Sequence, residues 1–385
     1  MTFTKGYTAP VGRNIGETWS VVIVAVLIAL FLQLVYLARY DFNPAALVGM
    51  PEWLAAAAGD VPRNIPRFLT GGHDGGYIYL FAREPFPPRI DLVSIHVERP
   101  LFPLLAWFLA LGQPEYVVYT PQILNLLATA LIAAVCAIAL RSRGIDYRWA
   151  VVCALGPGLA MPLRFNLVDQ IVLAWLVTGF LMFDRRRHGV AALCLSLAIL
   201  ARPMSLGAAG VAALVSAFTT EDRRSAFWYV LCPVPYFVWR MYLQIEAGYP
   251  VSFFTGDELF TAAPLGFLGA VENLTRQLSV PRLALFAGGV TFYVLIAVAT
   301  VRHGWRVRLL GYESLLILGY TAAVLALPQT MGAGPVQMAR LTPIFPFVLY
   351  LFAGESAAEA RVVTGAVVGM SLFGSLWWLA APTMI

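Results

Sequence analysis

Charge is scarce in this chain. Asp, Glu, Lys and Arg make up 12% of its 385 residues, while hydrophobic residues make up 60%. A soluble domain carries roughly 25% charged residues. The chain therefore lacks the charge to coat a water-exposed surface of its size, and lipid must serve as its solvent. That excludes a soluble enzyme, a disordered chain and a nucleic-acid-binding module. Lysine is nearly absent, Lys5 being the only one, so the net charge of +5 is carried by arginine and reads as arginine on membrane loops. The four cysteines (Cys136, Cys153, Cys194, Cys232) all lie in apolar runs, without zinc-ligand spacing, and read as small core residues. A GxxxxGK[ST] phosphate loop and an HExxH zinc motif are both missing, as is any repeat, linker or low-complexity stretch. The first apolar run, Trp19 to Ala38, is too long for a cleavable signal and reads as a signal anchor and first span.

What is present is apolar sequence in membrane-sized pieces. A spanning helix needs about 20 mostly apolar residues, and about eleven runs approach that length. They are Trp19–Ala38, Tyr116–Leu140, Trp149–Pro162, Asp169–Phe183, Val190–Ala201, Ser205–Phe218, Ala226–Gln244, Leu283–Val301, Tyr312–Pro328, Met338–Ala353 and Val362–Ala380. The expected fold is an all-α polytopic membrane protein forming one membrane domain over residues 1–385. Arginine clusters at 141/143/148, 185–187, 223/224 and 302/306/308 fill alternate short loops, which the positive-inside rule places in the cytoplasm together with the N-terminus. Two outer segments are long, residues 39–115 and 245–282. Within the first, Leu101–Gly112 is too short to span and reads as a juxtamembrane helix on the outer surface, with Gly75–Arg83 as a second.

Ionisable residues near the bilayer are costly and mark candidate sites. The outer segments hold three groups. The first is Gly71-Gly72-His73-Asp74-Gly75-Gly76-Tyr77, a His-Asp pair between glycine pairs that let backbone approach a ligand. Asp74 is either a general base for an acceptor hydroxyl or a loop carboxylate in a turn. His73 binds acceptor, assists a metal or makes a local hydrogen bond. The second is His96-Val97-Glu98-Arg99-Pro100, in which Arg99 either binds phosphate bidentately or snorkels to headgroups. The third is scattered over outer span ends: Arg164, Asn166, Asp169, Arg202 and Arg340. Arg202 and Arg340 interrupt apolar runs. Two such arginines facing one cavity suit a lipid-linked phosphate; the alternative is internal ion pairs, for example Arg164 with Asp169. Tyr77, Tyr79, Trp107 and Tyr116 either stack on sugar rings or form an interfacial aromatic belt.

Several short motifs then fall in a familiar order. Asp74-Gly75-Gly76-Tyr77-Ile78-Tyr79 is followed by Arg99-Pro100-Leu101-Phe102-Pro103-Leu104-Leu105-Ala106, Asn125-Leu126, Leu200-Ala201-Arg202-Pro203 and Ala339-Arg340-Leu341-Thr342-Pro343. This order resembles the GT-C superfamily of integral-membrane glycosyltransferases, and within it the bacterial branch associated with cell-surface glycopolymer formation. The resemblance implies a GT-C-like bundle and a sugar donor on polyprenyl phosphate. It implies transfer to a cell-envelope glycan or lipid acceptor at the extracytoplasmic face of the bacterial cytoplasmic membrane. It implies Asp74 as the catalytic base, and His73, Arg99, Arg164, Asp169, Arg202 and Arg340 as substrate-binding residues. The chain departs from the pattern where many relatives carry two adjacent acids, since the neighbour of Asp74 is His73. It departs again where relatives carry an acid in a Thr-Glu-like motif, since Arg164-Phe165-Asn166-Leu167-Val168-Asp169 stands there. Both departures weigh against a divalent metal. Two other functions remain compatible with the sequence: a lipid-linked glycan flippase, and a non-catalytic membrane subunit of a polysaccharide assembly system.

Overall fold

A computed structural model of the chain describes residues 15–68, 74–89, 94–156, 160–218, 223–248, 280–307, 311–326, 344–353 and 358–380. Helices account for most of them. In chain order these are α1 (Ile15–Leu37), α2 (Glu52–Ala58), α3 (Asp74–Arg83), α4 (Leu101–Leu109), α5 (Thr120–Ser142), α6 (Trp149–Ala154), α7 (Ala160–Phe165) and α8 (Asp169–Asp184). They continue as α9 (His188–Ala201), α10 (Leu206–Phe218), α11 (Ala226–Val230), α12 (Val234–Ala247), α13 (Val280–Val307), α14 (Tyr312–Ala326), α15 (Phe345–Phe352) and α16 (Ala358–Ala380). Two short strands, β1 (Met50–Pro51) and β2 (Arg67–Phe68), pair in parallel, Met50 opposite Arg67.

Among the described residues, two helices are long and apolar enough to cross a bilayer, α1 and α5. At 1.5 Å per residue, their 23 residues each reach about 35 Å. By contrast α9 and α10, with 14 and 13 residues, reach only about 20 Å. The stretches Gly75–Arg83 and Leu101–Gly112 are helical, as α3 and α4, and most of α3 is buried. Two expected spans are broken. Over Trp149–Pro162, α6 stops at Ala154, just before Gly156-Pro157-Gly158 in sequence, and α7 begins at Ala160. Over Ala226–Gln244, the helix is interrupted at Leu231–Pro233, because Pro233 has no N–H to donate and its ring crowds the preceding turn.

The chain divides into two compact units. One comprises Met1–Ile28, Thr129–Gly158 and Glu258–Gly374; the other comprises Ala29–Ala128, Leu159–Asp257 and Ser375–Ile385. In the first unit α13 packs on α14, α14 on α15 and α15 on α6. Phe292 meets Phe345 edge-on, with ring centroids 5.6 Å apart. Helix ends there are tied by ion pairs. Arg141 of α5 meets Glu17 of α1 at 2.9 Å, Arg143 meets Glu313 of α14 at 3.2 Å, and Arg306 of α13 meets Glu359 of α16 at 2.6 Å. Each glutamate lies in the first turn of its helix, where the macrodipole favours an anion.

In the second unit α8 and α9 form the most extensive helix pair, joined by a tight turn at Arg185–Arg187. Around them, buried side-chain amides close backbone gaps left by short helices. Gln33 Nε2 donates to the Leu163 carbonyl at 3.0 Å, and Asn125 Nδ2 donates to the Pro162 carbonyl at 3.2 Å. The Leu163 carbonyl lies in the last turn of α7, where intrahelical partners run out, and the Pro162 carbonyl also accepts from the Leu167 amide at 3.2 Å.

Candidate active site

Asp74 opens α3, in the turn where the helix dipole favours a carboxylate. The two glycines after it explain how the helix is seated. A Cβ on Gly75 would lie 2.1 Å from the Phe165 carbonyl oxygen and 2.5 Å from that of Val48. One on Gly76 would lie 3.0 Å from the Pro51 ring. These glycines therefore let α3 press onto neighbouring backbone, where the sequence reading had them admit a ligand. On the Val48 side, Gly49 takes a left-handed turn (φ 62°), and a Cβ there would meet the Phe165 ring at 2.9 Å. On the Phe165 side, Asn166 is also left-handed (φ 53°), a conformation asparagine tolerates better than most residues.

The 3₁₀ turn Ser94–Glu98, with Arg99 directly after it, brings two nitrogen-bearing side chains to Asp74. His96 Nε2 lies 3.2 Å from Oδ1, and Arg99 Nη1 donates to Oδ2 at 3.2 Å. Both carboxylate oxygens are thus engaged. Tyr77, about one helical turn after Asp74, stacks on the His96 ring at 4.1 Å with planes 7° apart, which fixes the imidazole orientation. The His96 side chain is 13% exposed, and that of Asp74 is 48% exposed.

Arg202 completes the group from α9. Pro203 follows it, and the residue before a proline is disfavoured in the α region. Arg202 accordingly leaves the helix in an extended conformation (φ −155°, ψ 111°). Its guanidinium forms an ion pair with Asp169, in the first turn of α8, and its charge also acts on Asp74. Protein packed around Asp74 disfavours its ionisation. The hydrogen bond from His96 and the charges of His96, Arg99 and Arg202 outweigh that effect and hold the carboxyl well below the usual carboxylate range. Asp74 is therefore ionised at neutral pH but weakly basic while both oxygens are held.

A cleft of about 240 Å³ opens here. Asp74, His96 and Arg99 form its polar edge, and Ile78, Phe81, Pro103 and Val168 its apolar walls.

Of the residues singled out from sequence, Asp74, Arg99, Asp169 and Arg202 come together here. Arg164 is buried on the rings of Tyr36 and Phe165, its guanidinium carbon 4.3 and 4.8 Å from their centroids. The partner seen for Asp169 is Arg202, where the sequence had offered Arg164. His73 and Arg340 lie outside the described residues. Two features escaped the sequence: the contact of His96 with Asp74, and the buried ion pair of Glu98 with Arg240. A signal for the second existed, since Arg240 interrupts an apolar run as Arg202 does. Among the described residues, no group of three His, Cys, Asp or Glu side chains converges to hold a divalent cation.

The pairing of Arg202 with Asp169 gives a direct expectation. Both are largely buried, with side chains 14% and 9% exposed. Arg202→Ala would leave Asp169 charged and without its buried partner, and should destabilise the protein by about 3–5 kcal/mol. Arg202→Met with Asp169→Asn should recover most of that loss. Thermal unfolding in detergent distinguishes the two, and equal melting of both variants would contradict this account.

Compared with protein families, with characterised proteins and with solved structures, the chain matches none.

Proposed function

We propose that this protein is a polytopic membrane glycosyltransferase of GT-C type. It moves a sugar from a polyprenyl-phosphate-linked donor to a cell-envelope glycan or lipid acceptor at the extracytoplasmic face. The observation that carries the proposal is the half-exposed Asp74 carboxylate at the edge of a cleft, with Arg99 against it and Arg202 acting on it. A proton acceptor beside two cations is what transfer from a sugar phosphate requires. The topology is supported by the ion pairs of the first unit. The starts of α1, α14 and α16 and the ends of α5 and α13 are all expected on the cytoplasmic side, and the pairs join them to one another. Asp74, Asp169 and Arg202 all come from segments expected outside.

The chemistry follows from the contacts. The donor phosphate competes with Asp74 for Arg99, because both present oxygens to the same guanidinium. Once Arg99 turns to phosphate, one Asp74 oxygen is released and its basicity rises. That oxygen takes the proton of the acceptor hydroxyl. The acceptor oxygen forms a bond to the anomeric carbon from the face opposite the phosphate, and the configuration inverts. The bond between that carbon and the phosphate oxygen breaks, and its electron pair stays on the phosphate. Arg99 and Arg202 stabilise the growing charge. Removing one such preorganised donor typically costs roughly 2.7–4 kcal/mol of barrier lowering.

The test is what the protein carries when purified. Lipid extracted from wild-type protein in mild detergent should contain a polyprenyl phosphate or its glycoside, identified by mass spectrometry. Arg99→Gln and Arg340→Ala should each lower its amount several-fold. Absence of polyprenyl lipid from the wild type, together with failure to turn over synthetic polyprenyl-phosphate sugars, would sink the proposal.

A further inference from the structure

Glu98 and Val97 lie between the two residues that hold Asp74, His96 before them and Arg99 after. Both are gripped by one face of α12. Tyr236, Trp239 and Arg240 stand at positions i, i+3 and i+4, so their side chains share that face. Arg240, only 4% exposed, forms an ion pair with Glu98 Oε1. The Tyr236 hydroxyl donates to Glu98 Oε2 at 3.4 Å, and Trp239 Nε1 donates to the Val97 carbonyl at 2.7 Å. Thus both Glu98 oxygens and the adjoining carbonyl are fixed from one helix. Within the turn itself, the Arg99 amide donates to the His96 carbonyl at 3.1 Å. His96 and Arg99 must therefore move as one body.

We propose that Arg240, with Tyr236 and Trp239, forms a clamp that positions the His96–Arg99 turn against Asp74. Arg240 is a positioning residue: it acts on the reaction through Glu98. Its importance for turnover rests on the glycosyltransferase function proposed above. Its effect on His96 does not, because the contacts are internal to the protein. A buried ion pair is a weak contributor to stability when set against well-packed apolar side chains. What it does supply is direction, since each partner holds the other at a fixed distance and angle. Displacing a catalytic group by about 1 Å costs on the order of 10²-fold in rate.

Two variants separate positioning from folding. Trp239→Phe keeps an aromatic ring on the side of Phe81, whose centroid lies 6.0 Å from that of Trp239, and removes the N–H together with one ring of the indole. Glu98→Gln with Arg240→Met replaces the ion pair by neutral groups of similar size. His96 is one of four histidines, so its ring nitrogen signals in ¹⁵N-histidine-labelled protein can be assigned with His96→Gln. In both variants the His96 Nε2 signal should move away from its Asp74-bonded position while the melting temperature stays near wild type. With a polyprenyl-phosphate sugar, kcat of the double variant should fall about 10²-fold with KM little changed, and Trp239→Phe should fall less. An unmoved His96 signal overturns the proposal, and so does a moved signal with wild-type turnover. A moved signal in a protein whose wild type transfers no sugar supports the clamp and counts against the glycosyltransferase function instead. If the double variant fails to fold, the Trp239→Phe signal decides alone.

Discussion

Asp74→Asn is expected to lower sugar transfer by about 10²–10⁴-fold, the usual contribution of a general base, without lowering the yield of folded protein. Asparagine keeps the size and one carbonyl oxygen, so a contact to His96 or Arg99 survives and α3 stays seated. What is lost is the ability to accept a proton. The measurement is single-turnover transfer from a synthetic donor, set against elution profile and melting temperature. Full turnover by Asp74→Asn would remove Asp74 from the chemistry even if the protein proved to be a transferase. A pH series adds a second readout. The folded-state pKa of Asp74 is depressed, so its stabilising contribution is fully present above the ordinary carboxylate range. It is lost only as pH falls through that range toward the lowered value. Wild type should therefore lose stability on acidification over a range in which Asp74→Asn, having no group to protonate there, changes less.

Gly75→Ala should have the second large effect, and for a different reason. The added methyl would stand 2.1 Å from one backbone oxygen and 2.5 Å from another. Neither belongs to a flexible side chain that can swing aside. Overpacking typically costs 1–3 kcal/mol, and more where backbone must shift. Here about 3 kcal/mol or more is expected, a large part of the roughly 5–15 kcal/mol that holds a folded domain. Gly207 in α10 is the control, since a methyl there meets nothing within 4 Å and alanine favours helix. Size-exclusion profiles and melting curves should show Gly75→Ala aggregated or strongly destabilised and Gly207→Ala at or above wild type. A well-folded Gly75→Ala would mean that α3 is not seated as described.

The helical class was legible because the apolar runs are long, and runs of that length favour helix over short strands. Helix starts near Asp169, His188 and Leu206 were legible within a few residues for the same reason. The helix end at Ala154 and the break at Pro233 were also written in the sequence, but they sit inside apolar runs and hydropathy alone passes over them. Site residues were found wherever a charge interrupted apolar sequence, as with Arg202, or stood among glycines, as with Asp74. Pairings were another matter. Asp169 and Arg202 are 33 residues apart, and Glu98 and Arg240 are 142 apart. Nothing local in sequence says which cation meets which carboxylate, and nearness along the chain suggested Arg164 for Asp169. His96 was noted beside Arg99 but given no role, because an isolated histidine carries no pattern until Tyr77 is seen stacked on it. The glycines beside Asp74 were noticed, but whether they admit a ligand or a neighbouring carbonyl is a three-dimensional distinction.

The extended backbone at Arg202 has a consequence beyond the direction of one side chain. Its cause is a covalent ring at Pro203, which limits Arg202 in the unfolded chain as much as in the folded one. The arginine therefore loses less freedom when it meets Asp169 than an arginine in an unconstrained loop would. Salt and detergent weaken attraction between charges but leave ring sterics untouched. Among the contacts around Asp74, this is the one whose geometry should persist at high salt or in detergent, and Pro203→Ala is the change that would make Arg202 depend on its surroundings.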